Sequence, residues 1–254
     1  MLDITTSLPA HELLPEGALF HIYGYQITPP RTKEYRRFNR AFTSILCARI
    51  KSYLGESFDE KSFELAHYHD ILPDSRHHDF IKQMSRSILP SDISREEPYL
   101  QYILKCAETL FKKRARIYND KIEYRVVRPG QPDNNELHRD HWFPYFKNLV
   151  NVYVPLAGSY CDSAMPIVPR SHLWSDADVV PEIQYEGGKY IKPSTGIAYS
   201  VSPIKSCSRE IVRHRPDTVE GSSMLFSPLL IHGGGDNSSP HTRFSFEFRL
   251  ELLE

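Results

Sequence analysis

Apolar residues in the first half of the chain recur at intervals of three and four, a spacing that predicts amphipathic helices. The clearest stretch is 32–53, where one stripe carries Phe38, Phe42, Ile45, Leu46, Ile50 and Tyr53. Helices are also predicted at 80–88 and 97–118. Residues 1–30 contain four prolines and are expected to form an arm. Residues 1–118 are therefore predicted to be largely helical.

Beyond this half, short apolar runs bounded by Pro and Gly predict strands. These runs lie at 122–127, 149–156, 164–168, 222–226, 229–232 and 242–252. Many short strands with turns between them favour a sandwich or a barrel. We interpret 1–254 as a single domain, with a mainly β core at 119–254 and a polar insertion or lid at 170–195.

The last predicted strand alternates without a break between polar and apolar side chains. One face carries Arg, Ser, Glu, Arg and Glu, and the other carries Phe, Phe, Phe, Leu and Leu. Three phenylalanines on one face need a cover, which the N-terminal helices are expected to provide. The polar face would then look into the mouth of a barrel, although the alternation fits a solvent-facing strand equally well.

Composition and charge are those of an ordinary globular protein. The 254 residues carry a formal net charge of -1, which favours neither a nucleic-acid partner nor a polybasic membrane contact. The first residues lack the layout of a secretory signal, and no apolar run approaches the ~20 residues that span a bilayer. The four cysteines are widely spaced without a CxxC motif, which favours free thiols in a reducing compartment. We expect a cytoplasmic protein, whose oligomeric state the sequence leaves open.

The candidate chemistry lies in three metal-ligating side chains. Positions i and i+2 of a strand point the same way, so His138 and Asp140 can face one metal with Arg139 turned away. Trp142 would share that side if the strand continued. His232 follows far downstream in the string IHGGGD. Two imidazoles and one carboxylate form the facial triad that holds non-haem Fe(II) and leaves coordination positions open.

A cationic and a hydroxyl side chain follow the second histidine, where an acidic organic co-substrate could be clamped. They are Arg243 and Ser245, in the string TRFSF. A guanidinium binds a carboxylate with two parallel hydrogen bonds, which suits it to this task. The combination of five residues is much more specific than an HxD pair alone.

The strings RPGQPDNNELHRDHWF, MPIVPRSHLW and IHGGGDNSSPHTRFSF resemble the Fe(II)/2-oxoglutarate-dependent dioxygenases, specifically the phytanoyl-CoA dioxygenase-like branch. The resemblance covers about residues 120–252. It implies a double-stranded β-helix, a jelly-roll or cupin-like barrel, covered by N-terminal helices. It also implies that O2 is consumed, that 2-oxoglutarate is decarboxylated to succinate and CO2, and that an unactivated C–H bond is oxidised, by default to an alcohol. We expect a small-molecule substrate, such as a polar metabolite or a natural-product intermediate.

The resemblance assigns roles to the five residues. It implies that His138, Asp140 and His232 ligate iron, and that Arg243 with Ser245 binds the distal carboxylate of 2-oxoglutarate. Because a carboxylate is present among the iron ligands, halogenation is not expected.

Three further residues are candidates with an ordinary alternative each. Tyr124 could donate a hydrogen bond to 2-oxoglutarate, or it is a core aromatic. Trp142 could line the substrate pocket, or it packs in the core. Arg170 stands where many relatives have Gly, between Pro and Ser-His; it could reach an anionic substrate, or it is solvated.

Other functions fit less well. The HRD string of protein kinases needs an Asn where Tyr145 stands, and the HGGG string of esterases needs a later GxSxG that this chain lacks. A second group of metal-capable residues has no spacing that joins three ligands, and is expected to form a solvated loop or cap: His67, His69, Asp70, His77, His78 and Asp79. A barrel without metal, serving as a binding or scaffolding module, remains the alternative function.

Overall fold

A computed structural model describes residues 18–55, 58–72, 74–87, 97–133, 135–143, 146, 148–182, 190–191, 198–199 and 202–254. Residues 1–17 of the expected arm lie outside the described residues, as does most of the expected lid after residue 182. No helix in the described part of the chain combines the length and the apolar character that crossing a membrane requires.

The helices precede the main strands, as their spacing predicts. They are α1 (Ala18–Tyr23), α2 (Thr32–Leu54), α3 (Tyr68–Ile71), α4 (Asp74–Ser87) and α5 (Pro98–Phe111), with 3-10 turns at Glu60–Ser62 and Leu65–His67. The expected helix at 32–53 is confirmed, and the helix expected at 80–88 begins earlier, at Asp74, while residue 88 lies outside the described residues. The third ends early, because Lys112 adopts a left-handed backbone (φ 54°) and the chain enters a strand at Arg114.

The strands are β1 (Tyr25–Ile27), β2 (Arg114–Val127), β3 (Leu149–Ala157), β4 (Ile167–Val168), β5 (Val179–Pro181), β6 (Tyr190–Ile191), β7 (Ala198–Tyr199), β8 (Ile204–Cys207), β9 (Met224–Phe226), β10 (Ile231–His232) and β11 (Arg243–Leu253). The main sheet has five antiparallel strands in the order β1-β9-β3-β11-β2. Residues expected to belong to the arm thus form its edge strand β1. The start of β2, which was expected to be helical, pairs with the end of β11.

A smaller second layer contains the pair β4–β10. Isolated bridges join His138 to His232 and Ile167 to His214, and the amide of Ile204 donates to the carbonyl of Leu137. The short segment around His138 therefore lies between β8 and β10. This mainly antiparallel arrangement with flanking helices is the expected jelly-roll architecture.

The phenylalanine face of β11 is covered by α2. The ring of Phe246 lies 4.6 Å from that of Phe42 and 5.5 Å from that of Phe38, measured between centroids. All three side chains are almost completely buried, which confirms the expected cover. Burial of a large aromatic side chain contributes roughly 1.5–3 kcal/mol, so this contact fixes the orientation of β11.

The start of the polar face of β11 consequently turns inward, whereas Glu247, Arg249 and Glu251 further along the same face are partly exposed. Arg243 and Ser245 have no solvent exposure at all. The guanidinium of Arg249, on the same face, reaches Asp140 with a 2.8 Å hydrogen bond. The tertiary structure thus selects the barrel interior, the first of the two orientations that the alternation allowed.

Candidate active site

A backbone bridge brings the two histidines together. The amide of His138 donates to the carbonyl of His232 (3.0 Å), and the amide of His232 donates to that of His138 (3.1 Å). Arg139 is extended (φ -120°, ψ 132°), so Asp140 returns to the side of His138 as the i+2 rule predicts. The rings of the two histidines are 4.2 Å apart between centroids. Two distant parts of the sequence therefore meet in one small site.

Three potential ligand atoms converge at this point. One atom each from His138, Asp140 and His232 lies within 4.8 Å of the others, and all three residues are buried. Nε2 of His138 is 3.5 Å from Oδ1 of Asp140. Among the described residues this is the one group of three or more His, Cys, Asp or Glu side chains with such spacing.

The hydrogen bonds of the histidines leave the correct nitrogens free for a metal. Nδ1 of His138 lies 2.6 Å from the carbonyl oxygen of Glu136, and Nδ1 of His232 lies 2.9 Å from that of Leu230. Because a carbonyl oxygen only accepts, each Nδ1 donates and each Nε2 keeps its lone pair. Metal-bound histidines are commonly oriented in this way. The donor set fits a divalent transition metal.

Charge states at the site also suit a metal. Burial, together with His138, lowers the pKa of His232 to about 3, so this imidazole is neutral at neutral pH. Burial alone would raise the pKa of Asp140, but Arg249 and the two histidines outweigh it and hold this pKa well below its ordinary value. Oδ1 of Asp140 is buried and accepts no hydrogen bond from the described residues. A buried acceptor without a partner is costly, and a metal ion would satisfy it.

Arg249 is a site residue that the sequence analysis did not select. It donates to Oδ2 of Asp140, and its guanidinium lies 3.8 Å from the ring centroid of Phe146. Oδ2 is thus occupied, while Oδ1 stays directed at the histidines. The signal was present in the alternation, because Arg249 shares the inward face of Arg243 and Ser245.

Arg243 lies inside the barrel at the start of β11. Its guanidinium donates to the carbonyl of Ser163 (2.7 Å) and forms an ion pair with Asp133. Ser245 follows on the same face, directly opposite Pro155 of β3 and Arg125 of β2 in the sheet register. The structure therefore places Arg243 and Ser245 on the interior face that also carries Arg249.

Tyr124 lies on the opposite side of the sheet. It is directly across from Phe246 in the register of β2 and β11, and its ring contacts those of Phe246 and Phe42. It therefore shares the helix-covered face, away from Arg243. The expected contact of Tyr124 with 2-oxoglutarate has to be corrected, and the core-aromatic alternative describes its position.

Trp142 does not continue the extended segment of His138 and Asp140, and Arg170 lies at the surface. The strand does not continue beyond Asp140, since Asp140–Trp142 is a 3-10 turn. Trp142 packs against the apolar cluster around Val168 in the second layer. Arg170 is exposed and has a left-handed backbone (φ 69°), the conformation that glycine adopts most easily. A glycine would adopt this backbone with less strain than Arg170 does.

The second histidine group is divided among separate contacts. His77 is buried and hydrogen-bonds the hydroxyl of Tyr68 (3.0 Å), whereas Nδ1 of His69 lies 2.8 Å from Oγ1 of Thr242. His67 is exposed and lies 3.3 Å from a carboxylate oxygen of Asp70. The segment that was expected to be a solvated loop therefore contacts, through His69, the residue that precedes β11.

Comparison with known proteins agrees with this geometry. The profile of the phytanoyl-CoA dioxygenase (PhyH) family matches residues 21–245. The chain belongs to this family. Like the other members, it is an Fe(II)- and 2-oxoglutarate-dependent oxygenase that uses O2. The family match therefore confirms the enzyme class and the cofactors that the sequence motifs implied. A sequence comparison with curated proteins found no match for this chain.

Solved structures confirm the fold of this PhyH-family chain. The non-heme alpha ketoglutarate dependent carbocyclase SnoK from nogalamycin biosynthesis is 15% identical, with a TM-score of 0.51 over 95% of this chain and 85% of SnoK. EctD from S. alaskensis in its apoform is 13% identical, with a TM-score of 0.52 over 99% of this chain and 82% of EctD. A second EctD structure, with 2-oxoglutarate and 5-hydroxyectoine, is 14% identical and has a TM-score of 0.51, over 92% and 74% of the two chains.

Proposed function

We propose that this oxygenase hydroxylates an unactivated C–H bond of a small polar metabolite or natural-product intermediate, while 2-oxoglutarate is decarboxylated to succinate and CO2. In this proposal His138, Asp140 and His232 hold Fe(II), and Arg243 with Ser245 binds the distal carboxylate of 2-oxoglutarate. The observation that carries it is the buried ligand group, in which hydrogen bonds leave both Nε2 atoms and one carboxylate oxygen available.

The chain's own residues prepare the site for metal binding. When bound, iron supplies the activation of O2 that C–H oxidation requires. The carbonyls of Glu136 and Leu230 orient the imidazoles, and Arg249 holds the second oxygen of Asp140. Such outer contacts typically change metal affinity or activity by about 10- to 100-fold when they are removed.

Burial supports the role of Arg243 and Ser245. Neither side chain has solvent exposure, so a carboxylate bound there would be screened little by water. The guanidinium remains charged, because Asp133 outweighs the desolvation that would lower its pKa. That Trp142 and Arg170 contact the substrate remains a prediction. The position of Tyr124 among the helix-facing aromatics does not favour a contact with 2-oxoglutarate.

A polar interior supports a polar substrate. Asn151 of β3 is directly opposite Arg249 in the sheet register, and both polar atoms of its buried amide lack a hydrogen-bond partner among the described residues. Arg125 and Glu247 form a further ion pair on this face (3.1 Å). SnoK belongs to nogalamycin biosynthesis and one EctD structure contains 5-hydroxyectoine, which favours a small molecule of similar polarity.

Succinate formation tests the proposal. Protein loaded with Fe(II) under anaerobic conditions is exposed to O2 and 2-oxoglutarate, beside the variants Asp140→Ala and Asp178→Asn. Asp178→Asn is a surface control, because the residues that lower the pKa of Asp178 (Ser175, Ser208 and Arg209) lie outside the site. We expect iron-dependent succinate from the wild type and the control, and a loss of at least 100-fold in Asp140→Ala. Absence of both turnover and the visible absorption of an Fe(II)–2-oxoglutarate complex would instead support the binding-module alternative.

A further inference from the structure

The arginine assigned to the co-substrate already has a carboxylate partner. Asp133 forms an ion pair with Arg243, and the two side chains are 5% and 0% exposed. The charge of Arg243 is therefore largely neutralised before any ligand enters. A dicarboxylate that binds here has to share this guanidinium or displace Asp133 from it.

The position of Asp133 is specified by several contacts in its loop. Its Oδ1 accepts from the amide of Asn135 (3.2 Å), and its own amide donates to the carbonyl of Gly235 (3.1 Å). The amide of Gly234 donates in turn to the carbonyl of Asn135. Asp133 and Asn135 are thus tied to the glycines that follow His232, and these contacts hold the carboxylate of Asp133 beside Arg243.

We propose that Asp133 competes with the distal carboxylate of 2-oxoglutarate for Arg243, and thereby limits the affinity of the site for this dicarboxylate. The inference rests on the proposed function, because it takes Arg243 to be the co-substrate's anchor. In this proposal Asp133 weakens the binding of 2-oxoglutarate. A residue that only positioned Arg243 would strengthen it.

A second cation also interacts with Asp133. Arg125 of β2 lies on the same inward face, directly opposite Ser245. Burial alone would raise the pKa of Asp133, but Arg243 and then Arg125 outweigh it and hold this pKa below its ordinary value. Arg125 is itself paired with Glu247 (3.1 Å). It would therefore offset part of the charge of Asp133 when a ligand takes the guanidinium of Arg243.

Binding affinity of two related acids isolates this competition. 2-Oxobutyrate has the 2-oxo acid group of 2-oxoglutarate but lacks the distal carboxylate, so Asp133 does not compete with it. Affinities are measured by anaerobic titration calorimetry of Mn(II)-loaded wild type, Asp133→Asn and the surface control Asp178→Asn. We expect Asp133→Asn to bind 2-oxoglutarate at least 10-fold more tightly than the wild type does. Its affinity for 2-oxobutyrate, and both affinities of the control, should change less than 2-fold.

A measurement on the unmutated protein covers the case in which Asp133→Asn does not fold. In Zn(II)-loaded, isotope-labelled wild type, the amide resonance of Asn135 reports on the hydrogen bond to Asp133. We expect 2-oxoglutarate to shift this resonance, and 2-oxobutyrate to leave it in place. An unchanged Asn135 resonance at saturating 2-oxoglutarate would overturn the competition.

The remaining outcomes separate the two proposals. Equal or weaker binding of 2-oxoglutarate by Asp133→Asn would show that Asp133 positions Arg243, which overturns the inference and leaves the proposed function standing. Equal tightening for both acids would indicate a general change of the site and would also overturn it. If neither metal-loaded protein binds 2-oxoglutarate, the proposed function fails and the inference fails with it.

Discussion

In the metal-free protein, the contributions of Arg243 and Asp133 to stability should depend strongly on each other, because their side chains form a buried ion pair. We expect Arg243→Met to lower the free energy of unfolding by up to about 3–5 kcal/mol, because Asp133 loses its ion-pair partner and keeps only the interaction with Arg125. Methionine keeps much of the side-chain length, so lost packing is a minor part of this effect. The double variant Arg243→Met/Asp133→Asn removes both charges and should regain most of the loss.

The expected coupling follows from the burial of the pair. Two unit charges about 4 Å apart interact by about 4 kcal/mol at an effective dielectric constant of about 20. Solvent screens this little, since the side chains of Arg243 and Asp133 are 0% and 5% exposed. Arg125 also interacts with Asp133 and will compensate part of the loss. We therefore expect a coupling free energy of about 2–4 kcal/mol from the double-mutant cycle.

Urea unfolding at neutral pH, followed by circular dichroism, measures all four proteins of the cycle. The control is the same cycle at Arg36 and Glu220, an ion pair at 2.9 Å whose side chains are 61% and 48% exposed. Its coupling should be below about 1 kcal/mol. Effects of Arg243→Met and Asp133→Asn that add to within about 0.5 kcal/mol would refute the reasoning.

The same pair predicts a pH dependence with a defined sign. The pKa of Asp133 is lower in the folded protein than its ordinary value of 3.8. The folded state therefore binds the proton less readily than the unfolded state does. The contribution of the pair is complete above pH 3.8 and is lost as the pH falls through the folded pKa. The wild type should accordingly lose more stability below this pH than Arg243→Met does.

Three further predictions test the cover of the sheet, a turn and the metal ligands. Phe246→Ala should lower the free energy of unfolding by about 3–5 kcal/mol, measured in urea, because its ring is fully buried against α2. Gly158→Ala should cost more stability than Gly130→Ala: both glycines have positive φ (60° and 68°), but only at Gly158 would a Cβ collide with the carbonyl before β11. Arg249→Met should weaken Mn(II) binding by about 10- to 100-fold in calorimetry, since Asp140 loses the contact that orients it.

A defined experimental result would contradict each of these three predictions. A loss below about 1 kcal/mol for Phe246→Ala would mean that α2 does not cover this ring. Equal losses for the two glycine variants would mean that the backbone approach at Gly158 is not close. Unchanged Mn(II) affinity in Arg249→Met would mean that the guanidinium does not hold the metal-binding carboxylate.

Local sequence patterns determined most of the candidate site. The spacing of His138 and Asp140 needs only an extended residue between them, and Arg139 is extended. The alternation of β11 likewise separates a polar from an aromatic face without any knowledge of the fold. The helix over 32–53 follows from its apolar stripe alone. Each of these features depends on neighbours in the sequence, so the sequence carries the information directly.

Pairing between distant segments determined what the sequence pattern could not. The face of Tyr124 depends on the register of β2 against β11, which sets this residue across from Phe246. The end of α5 depends on the pairing of the start of β2 with the end of β11, since the spacing of this segment fits a helix as well. A register shift by one residue would reverse the faces of every side chain in such a strand.

The sequence by itself thus determined the ligand types, their local spacing and the two faces of the last strand. The tertiary structure decided that the polar face points inward, that Arg249 reaches Asp140, and that Asp133 neutralises Arg243. The physical reason is the range of the interactions. Helical and strand periodicity act between near neighbours, whereas a buried charge is stable only when folding supplies an opposite charge from elsewhere in the chain.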